Sequence, residues 1–277
     1  LAKKTYGCKL VATVHSLEPL RPWKKEQLGA GYELSSWMEK EGLEACDAVV
    51  AVSHEMKSDI LKFYDVPASA IHVIHNGVDP EKYHPKEGAA TLRKFGITKP
   101  FVFFCGRLSR QKGIFDLVEA FDDLPEGTQL VLATGKPDTP ELVGELRDAI
   151  EERKRIVWIH EMLEDPDLVN LYNEAEVFAC PSIYEPFGII NLEAMACETP
   201  VVACAVGGIK EVVVDGETGF LVPPEAPDKL AAALSKLIEH PDLAARMGKA
   251  GRHRVLELFT WDRIAEKTIE MYGTLVR

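Results

Sequence analysis

Short runs of β-branched and aromatic residues return nine times along this chain, at 9–14 (KLVATV), 48–52 (AVVAV), 71–74 (IHVI), 101–105 (FVFFC), 129–133 (QLVLA), 155–159 (RIVWI), 176–179 (EVFA), 200–204 (PVVAC) and 219–222 (GFLV). Most of these runs are apolar throughout rather than alternating. A strand of that kind is covered on both faces, which an antiparallel sheet open to water does not allow. Helical periodicity fills most of the intervals, over 34–46, 54–64, 113–121, 139–152, 166–174, 227–239 and 242–257. The βαβα rhythm predicts an α/β fold with parallel sheets under helices.

Residues 76–100 interrupt the rhythm. The stretch HNGVDPEKYHPKEG is dense in Gly, Pro and Asn, and Asn76-Gly77 is a turn signal. We read 76–100 as a linker between an N-terminal Rossmann-like domain over 1–75 and a C-terminal one over 101–257. A last helix occupies 258–277, with the N-terminal domain as one surface for its apolar face. The C-terminal domain carries a full set of strands. The N-terminal one has only three runs, fewer than a doubly wound sheet normally uses, so it is expected to be truncated. The opening LAKKTYG reads as the end of a helix stopped by Gly7.

The net charge of −12 argues against a nucleic-acid partner, which needs a basic face. It leaves room for a local cationic cleft that takes a phosphorylated ligand. The six cysteines form no C-x-x-C pair, and most lie in apolar runs, as reduced buried thiols do in a cytoplasmic protein. No apolar run is long enough for a membrane span, and no secretory signal pattern is present.

Three stretches bear chemistry. FFCGRLSRQKG (103–113) follows a strand and opens a helix, where open α/β sheets bind ligands. Arg107 and Lys112 emerge there beside helix amides, the makings of an anion site. CPSIYEPFGIINLEAMACETP (180–200) places Glu185 before Pro186, then Gly188 before a helix that carries Glu193. The amides of Gly188, Ile189 and Ile190 suit a phosphate, and the Glu193 carboxylate suits a ribose diol. In VATVHSLE (11–18), His15 ends a strand at its carboxyl edge. Taken singly, each of these residues is also consistent with surface charge, helix-end electrostatics or packing.

The G-R-L-x-x-x-K-G and E-P-F-G-x-x-x-x-E stretches resemble those of family-four retaining glycosyltransferases of the GT-B fold, such as glycogen synthase and sucrose synthase. HNGVDPEKYHP, GGIKEVVVDGETGFLVPP and FTWDRI match as well, and the resemblance covers essentially the whole chain. TVHSLEPLRPWKKEQLGAGYELSSW is similar to the actinobacterial type of glycogen synthase. That type uses ADP-glucose or a similar donor, and some members join glucose to glucose 1-phosphate to give maltose 1-phosphate.

The resemblance implies that Arg107 and Lys112 hold the donor diphosphate and that Glu193 binds the ribose. Glu185 contacts the donor sugar with support from Gly188, Ile189 and Ile190. His15 hydrogen-bonds the donor sugar, and the backbone at Met162 and Leu163 lines the base pocket. Retention of anomeric configuration also follows from the resemblance alone. The family's glycine-rich donor loop does not occur in this sequence, consistent with the strand count.

The implied partners are a nucleotide sugar, ADP-glucose foremost, and an α-glucan or sugar-phosphate acceptor. No cofactor is expected, and no obligatory metal, since no D-x-D motif stands in a suitable context. Arg21, Lys24 and Trp23 in LRPWKK are candidate acceptor residues, two cations for a phosphate and an aromatic for a sugar ring, set against a solvated basic loop. Two alternatives stay open: a family-four enzyme with a lipid or small-metabolite acceptor, and a non-catalytic nucleotide-sugar-binding chain.

Overall fold

Nine parallel strands form, each on one of the apolar runs read above. In the computed structural model, which describes residues 2–276, they are β1 (Val11–Val14), β2 (Ala48–Ala51), β3 (Ile71–Val73), β4 (Phe101–Gly106), β5 (Gln129–Thr134), β6 (Ile156–Ile159), β7 (Val177–Cys180), β8 (Val201–Cys204) and β9 (Gly219–Val222). They make two separate sheets, ordered β1-β2-β3 and β6-β5-β4-β7-β8-β9. The chain divides accordingly into two compact units. One runs to Asn76 and regains the residues from Trp261 onward, and the other is Gly77–Thr260.

In the first unit, β2 lies between its two neighbours and is buried along its whole length. The Trp261–Leu275 helix packs here through Ile264 and Met271, against Ala48, Val50 and Ile74. Its apolar residues recur at helical spacing, so one face can be buried while the rest stays in water. The expected helix end at the start of the chain is present as Ala2–Tyr6. The Gly7 amide closes it onto the Lys3 carbonyl at 3.0 Å, with φ at +65°.

In the second unit, the central strands are buried on both faces. Val102, Phe104, Leu130 and Leu132 pack under helices Ile114–Ala120, Glu141–Ile150 and Pro227–Glu239. Each such side chain contributes roughly 1.5–3 kcal/mol on burial, so Leu132→Ala should cost about 2–5 kcal/mol. Within the stretch read as a linker, Ala89–Phe95 forms a helix, closed by Gly96 in the left-handed conformation at φ +65°. Among the described residues, no helix is long and apolar enough to cross a membrane.

The order of the second sheet decides where a ligand can sit. From β4 the chain first builds outward through β5 and β6, then returns to the other side of β4 as β7 and continues to β9. Successive crossovers therefore leave on opposite faces at β4 and β7. The loops after those two strands diverge and leave a crevice at their carboxyl ends.

Candidate active site

The two loops at this crevice are residues 107–113 after β4 and 181–188 after β7. They are clasped together. The Ile183 amide donates to the Gln111 carbonyl at 2.8 Å, and the Gln111 side-chain amide donates to the Tyr184 carbonyl at 2.7 Å. Gly113, at φ +63°, comes so near Pro181 that a Cβ there would stand 2.0 Å from its carbonyl oxygen. Only glycine fits both the conformation and the gap.

This clasp brings Lys112 to Glu185, with Nζ 2.5 Å from Oε2 and both side chains largely buried. Burial pulls the Lys112 ammonium toward neutrality, but the facing Glu185 carboxylate overrides it, so the lysine holds its proton more tightly than usual. A third loop, after β8, fixes Glu185 from behind. The Gly208 amide donates to the Glu185 carbonyl at 3.2 Å, and a Cβ on Gly207 would lie 2.0 Å from that same oxygen.

Gly188, at φ +92°, then turns the chain into the Ile189–Ala196 helix. The first amides of a helix have no partner within it, so those of Ile189 and Ile190 end this segment with partial positive charge. Glu193 lies on the same helix and accepts a hydrogen bond from the Tyr172 hydroxyl at 2.8 Å. Burial pushes its carboxyl above the usual carboxylate range, and the Tyr172 hydrogen bond and the nearby Tyr83 phenol offset only part of that.

Next to Glu193 opens a hollow of about 330 Å³, lined by Arg107, Lys136, Met162, Leu163, Ile190 and Glu193 among others. The structure thus gathers Arg107, Met162, Leu163, Ile190 and Glu193 around one space. Lys112 and Glu185 are not in its wall. Lys112 lies beside it: a Cβ built on Gly106, which is in the wall, would stand 3.9 Å from the Lys112 side chain. Arg107 is exposed and reaches neither glutamate. Its guanidinium donates to Asp138, which follows β5, at 2.5 Å.

His15 follows the last residue of β1, is exposed, and belongs to the first unit. Arg21 and Lys24 belong there too, and the structure gives them a partner absent from the sequence reading. Both donate to Oε1 of the buried Glu18, at 2.9 and 3.1 Å, alongside the Ser35 hydroxyl at 3.0 Å. They are therefore neither a solvated basic loop nor a pair of uncommitted cations. Trp23, between them, is partly buried.

Several contributors escaped the sequence reading: Asp138 behind Arg107, Tyr83 and Tyr172 behind Glu193, and the Gly207-Gly208 approach behind Glu185. Only the last had a visible signal, the paired glycines of GGIKE. Among the described residues, no group of three or more His, Cys, Asp or Glu side chains is placed to hold a metal ion.

Cations, carboxylates and helix amides meet at the switch point of a doubly wound sheet, where such folds bind ligands. Residues 91–254 match the family of glycosyl transferases group 1, and residues 1–82 match glycosyltransferase family 4. The chain belongs to these glycosyltransferases, with the GT-B fold and the activity of a hexosyltransferase.

It is similar to the alpha-maltose-1-phosphate synthase of Mycolicibacterium smegmatis, 46% identical over 98% of this chain and 74% of that one. It is 30% identical to the glycogen synthase of Mycobacterium tuberculosis, over 96% of this chain and 63% of the other. Among solved structures, the sucrose-phosphate synthase of Thermosynechococcus elongatus superposes with a TM-score of 0.85 at 30% identity, covering 99% of this chain and 69% of that one.

Proposed function

We propose that this enzyme moves a glucosyl group, with retention, from ADP-glucose to glucose 1-phosphate, giving maltose 1-phosphate. The observation that carries the reading is the Lys112–Glu185 pair set beside the Glu193 hollow, on loops that leave the sheet at its switch point. The acceptor assignment is supported by the 46% identity to a relative named alpha-maltose-1-phosphate synthase. An α-glucan acceptor is the second reading, supported by the likeness to a glycogen synthase.

Breaking the bond between a sugar and a diphosphate leaves negative charge on the departing group. Preorganised cations facing that charge are worth more in a water-poor crevice than in bulk solvent. In this reading Lys112 and Arg107 hold the diphosphate, with the amides of Ile189 and Ile190 as further donors. Arg107 exchanges Asp138 for phosphate oxygens when the donor binds. Glu193 accepts from the ribose hydroxyls, and Met162 and Leu163 flank the base. Glu185, already neutralised by Lys112, faces the donor sugar. With this positive charge in place no obligatory metal is proposed. The cytoplasm is the proposed compartment, where the four buried, unbridged thiols would stay reduced.

The test is a matrix of donors and acceptors. The purified protein is incubated with glucose-labelled ADP-, UDP- or GDP-glucose, with glucose 1-phosphate or glycogen, and the products are resolved. Labelled maltose 1-phosphate formed fastest from ADP-glucose is the expected result. Labelled glycogen without maltose 1-phosphate would establish the second reading, and no transfer in any combination would defeat both.

A further inference from the structure

Glu193 is held by more than its own helix. The Tyr172 hydroxyl donates to its Oε2 at 2.8 Å, and the same hydroxyl stands 2.9 Å from the Cys105 sulfur. A tyrosine hydroxyl has one proton. With that proton given to the carboxylate, the thiol must be the donor in the second contact. Burial pushes the Cys105 thiol well above its ordinary pKa, so it keeps the hydrogen this requires. The Tyr83 phenol is near enough to Glu193 to favour the ionised carboxylate as well.

The aromatic rings cannot easily swing away. Tyr172 is fully buried, edge-on to Phe103 at 5.3 Å and to Tyr83 at 6.2 Å, and tilted against Phe178 at 5.2 Å. An edge-to-face cluster of this kind fixes ring orientation as well as position. Two phenols therefore converge on one carboxylate from within the protein. Glu193 and Cys105 both reach the wall of the hollow.

A carboxylate has about four lone-pair sites, and the Tyr172 hydroxyl occupies one of them, on Oε2. The remainder are left for a ligand. Were Glu193 only filling space, an apolar side chain would do so without the desolvation cost of a buried charge.

We propose that Tyr172 and Tyr83, with Cys105 behind Tyr172, are positioning residues that aim the Glu193 carboxylate at the ribose hydroxyls of the nucleotide. This rests on the assignment of the hollow to a nucleotide sugar. Preorganisation matters here because a carboxylate free to rotate would surrender ordering entropy on each binding event.

The test measures binding to the intact protein of ADP or UDP, whichever the wild type holds more tightly, and of its 2′,3′-dideoxy counterpart. The wild type should prefer the natural ribose by about tenfold or more, as a site built around sugar hydroxyls does. Tyr172→Phe removes one oxygen and should erase most of that preference. It should weaken the ribonucleotide about five- to tenfold, the size of one ordinary hydrogen bond, and leave the dideoxy form nearly unchanged. In turnover, KM for the donor should rise by more than kcat falls.

Equal weakening of both nucleotides, or of neither, would overturn the positioning role. Indifference of the wild type to the ribose hydroxyls would instead overturn the nucleotide-sugar assignment, and the inference with it. Because Tyr172 is fully buried, Tyr83→Phe runs in parallel, with the same selective loss expected. If Tyr172→Phe does not fold, Tyr83→Phe alone decides.

Discussion

The Lys112 ammonium and the Glu185 carboxylate lie 2.5 Å apart although 73 residues separate them in the chain. Their meeting is a product of topology, since each sits on a loop leaving one of the two strands where the sheet changes direction. Lys112→Ala should therefore do two kinds of damage. On the proposed role of Lys112 as a cation for the diphosphate, its loss should cost kcat about 10²–10³-fold, or roughly 2–4 kcal/mol. Glu185, left buried without its partner, should also lower the melting temperature. The double variant Lys112→Ala/Glu185→Ala should recover part of the melting temperature and none of the rate. Full additivity in thermal unfolding would show that the pair is not coupled.

Gly113 and Gly127 both have positive φ, at +63° and +86°, but differ in their surroundings. A Cβ on Gly113 would meet the Pro181 carbonyl oxygen at 2.0 Å, whereas a Cβ on Gly127 meets nothing within 4 Å. Gly127→Ala should cost about 1 kcal/mol, from backbone strain alone, and leave activity intact. Gly113→Ala should cost about 3 kcal/mol or more and abolish transfer, because relieving the clash moves the Lys112 loop off the Glu185 loop. Urea unfolding and donor turnover on the two variants make the comparison.

Glu193 should give nucleotide binding an acid limb. Its carboxyl titrates above its ordinary 4.5 chiefly through burial, with Tyr172, Tyr83 and Lys82 pulling it down and Asp165 pushing it up. On the proposed ribose role the ionised form is the one that binds, so affinity should fall as pH drops through this raised value. Tyr172→Phe removes one of the groups that favour ionisation, and should move the limb to higher pH. Stability should run the other way. A carboxyl with a raised folded pKa binds its proton more tightly folded than unfolded, so its contribution declines as pH rises from about 4.5 through the folded value. Nucleotide titration and thermal unfolding across this range should show the opposed trends.

Much of the second unit was legible beforehand because its strands are covered on both faces, and a doubly covered strand writes itself as an unbroken apolar run. The placing of Arg107, Lys112, Glu185 and Glu193 after β4 and β7 was legible because glycines mark the turns there. Tyr172 and Cys105 were not. Each lies in a segment whose pattern reads simply as core, and nothing local shows that a hydroxyl and a thiol there face a carboxylate on another helix. Glu18 was hidden for a similar reason. Its partners Ser35, Arg21 and Lys24 come from three turns of chain, and nothing in LEPLRPWKK says which acid its bases will choose. The Ala89–Phe95 helix was masked by the Pro- and Gly-rich stretch that leads into it.

Glu18 offers a stability test in the first unit. Burial alone would raise its pKa, but Lys24, Ser35 and Arg21 together bring it below the ordinary value. A carboxyl with a lowered folded pKa contributes stability that is whole above the unfolded value of 4.5 and is lost as pH falls through the folded one. Glu18→Ala should cost about 2–3 kcal/mol near neutral pH. That is less than for a fully buried pair, since Arg21 and Lys24 remain 20% and 28% exposed. The Lys24→Ala variant should show the same sign and a smaller size. If it instead raised KM for glucose 1-phosphate with the melting temperature unchanged, the lysine would belong to the acceptor site.

The Trp261–Leu275 helix supplies Ile264 and Met271 to a core otherwise made by residues before Asn76. The helix comes after the whole of Gly77–Thr260 in the chain, so the first unit closes its core only when residues on both sides of the second are present. A chain cut before Trp261 would leave Ala48, Val50 and Ile74 without the cover of Ile264 and Met271, while Gly77–Thr260 would keep its own core.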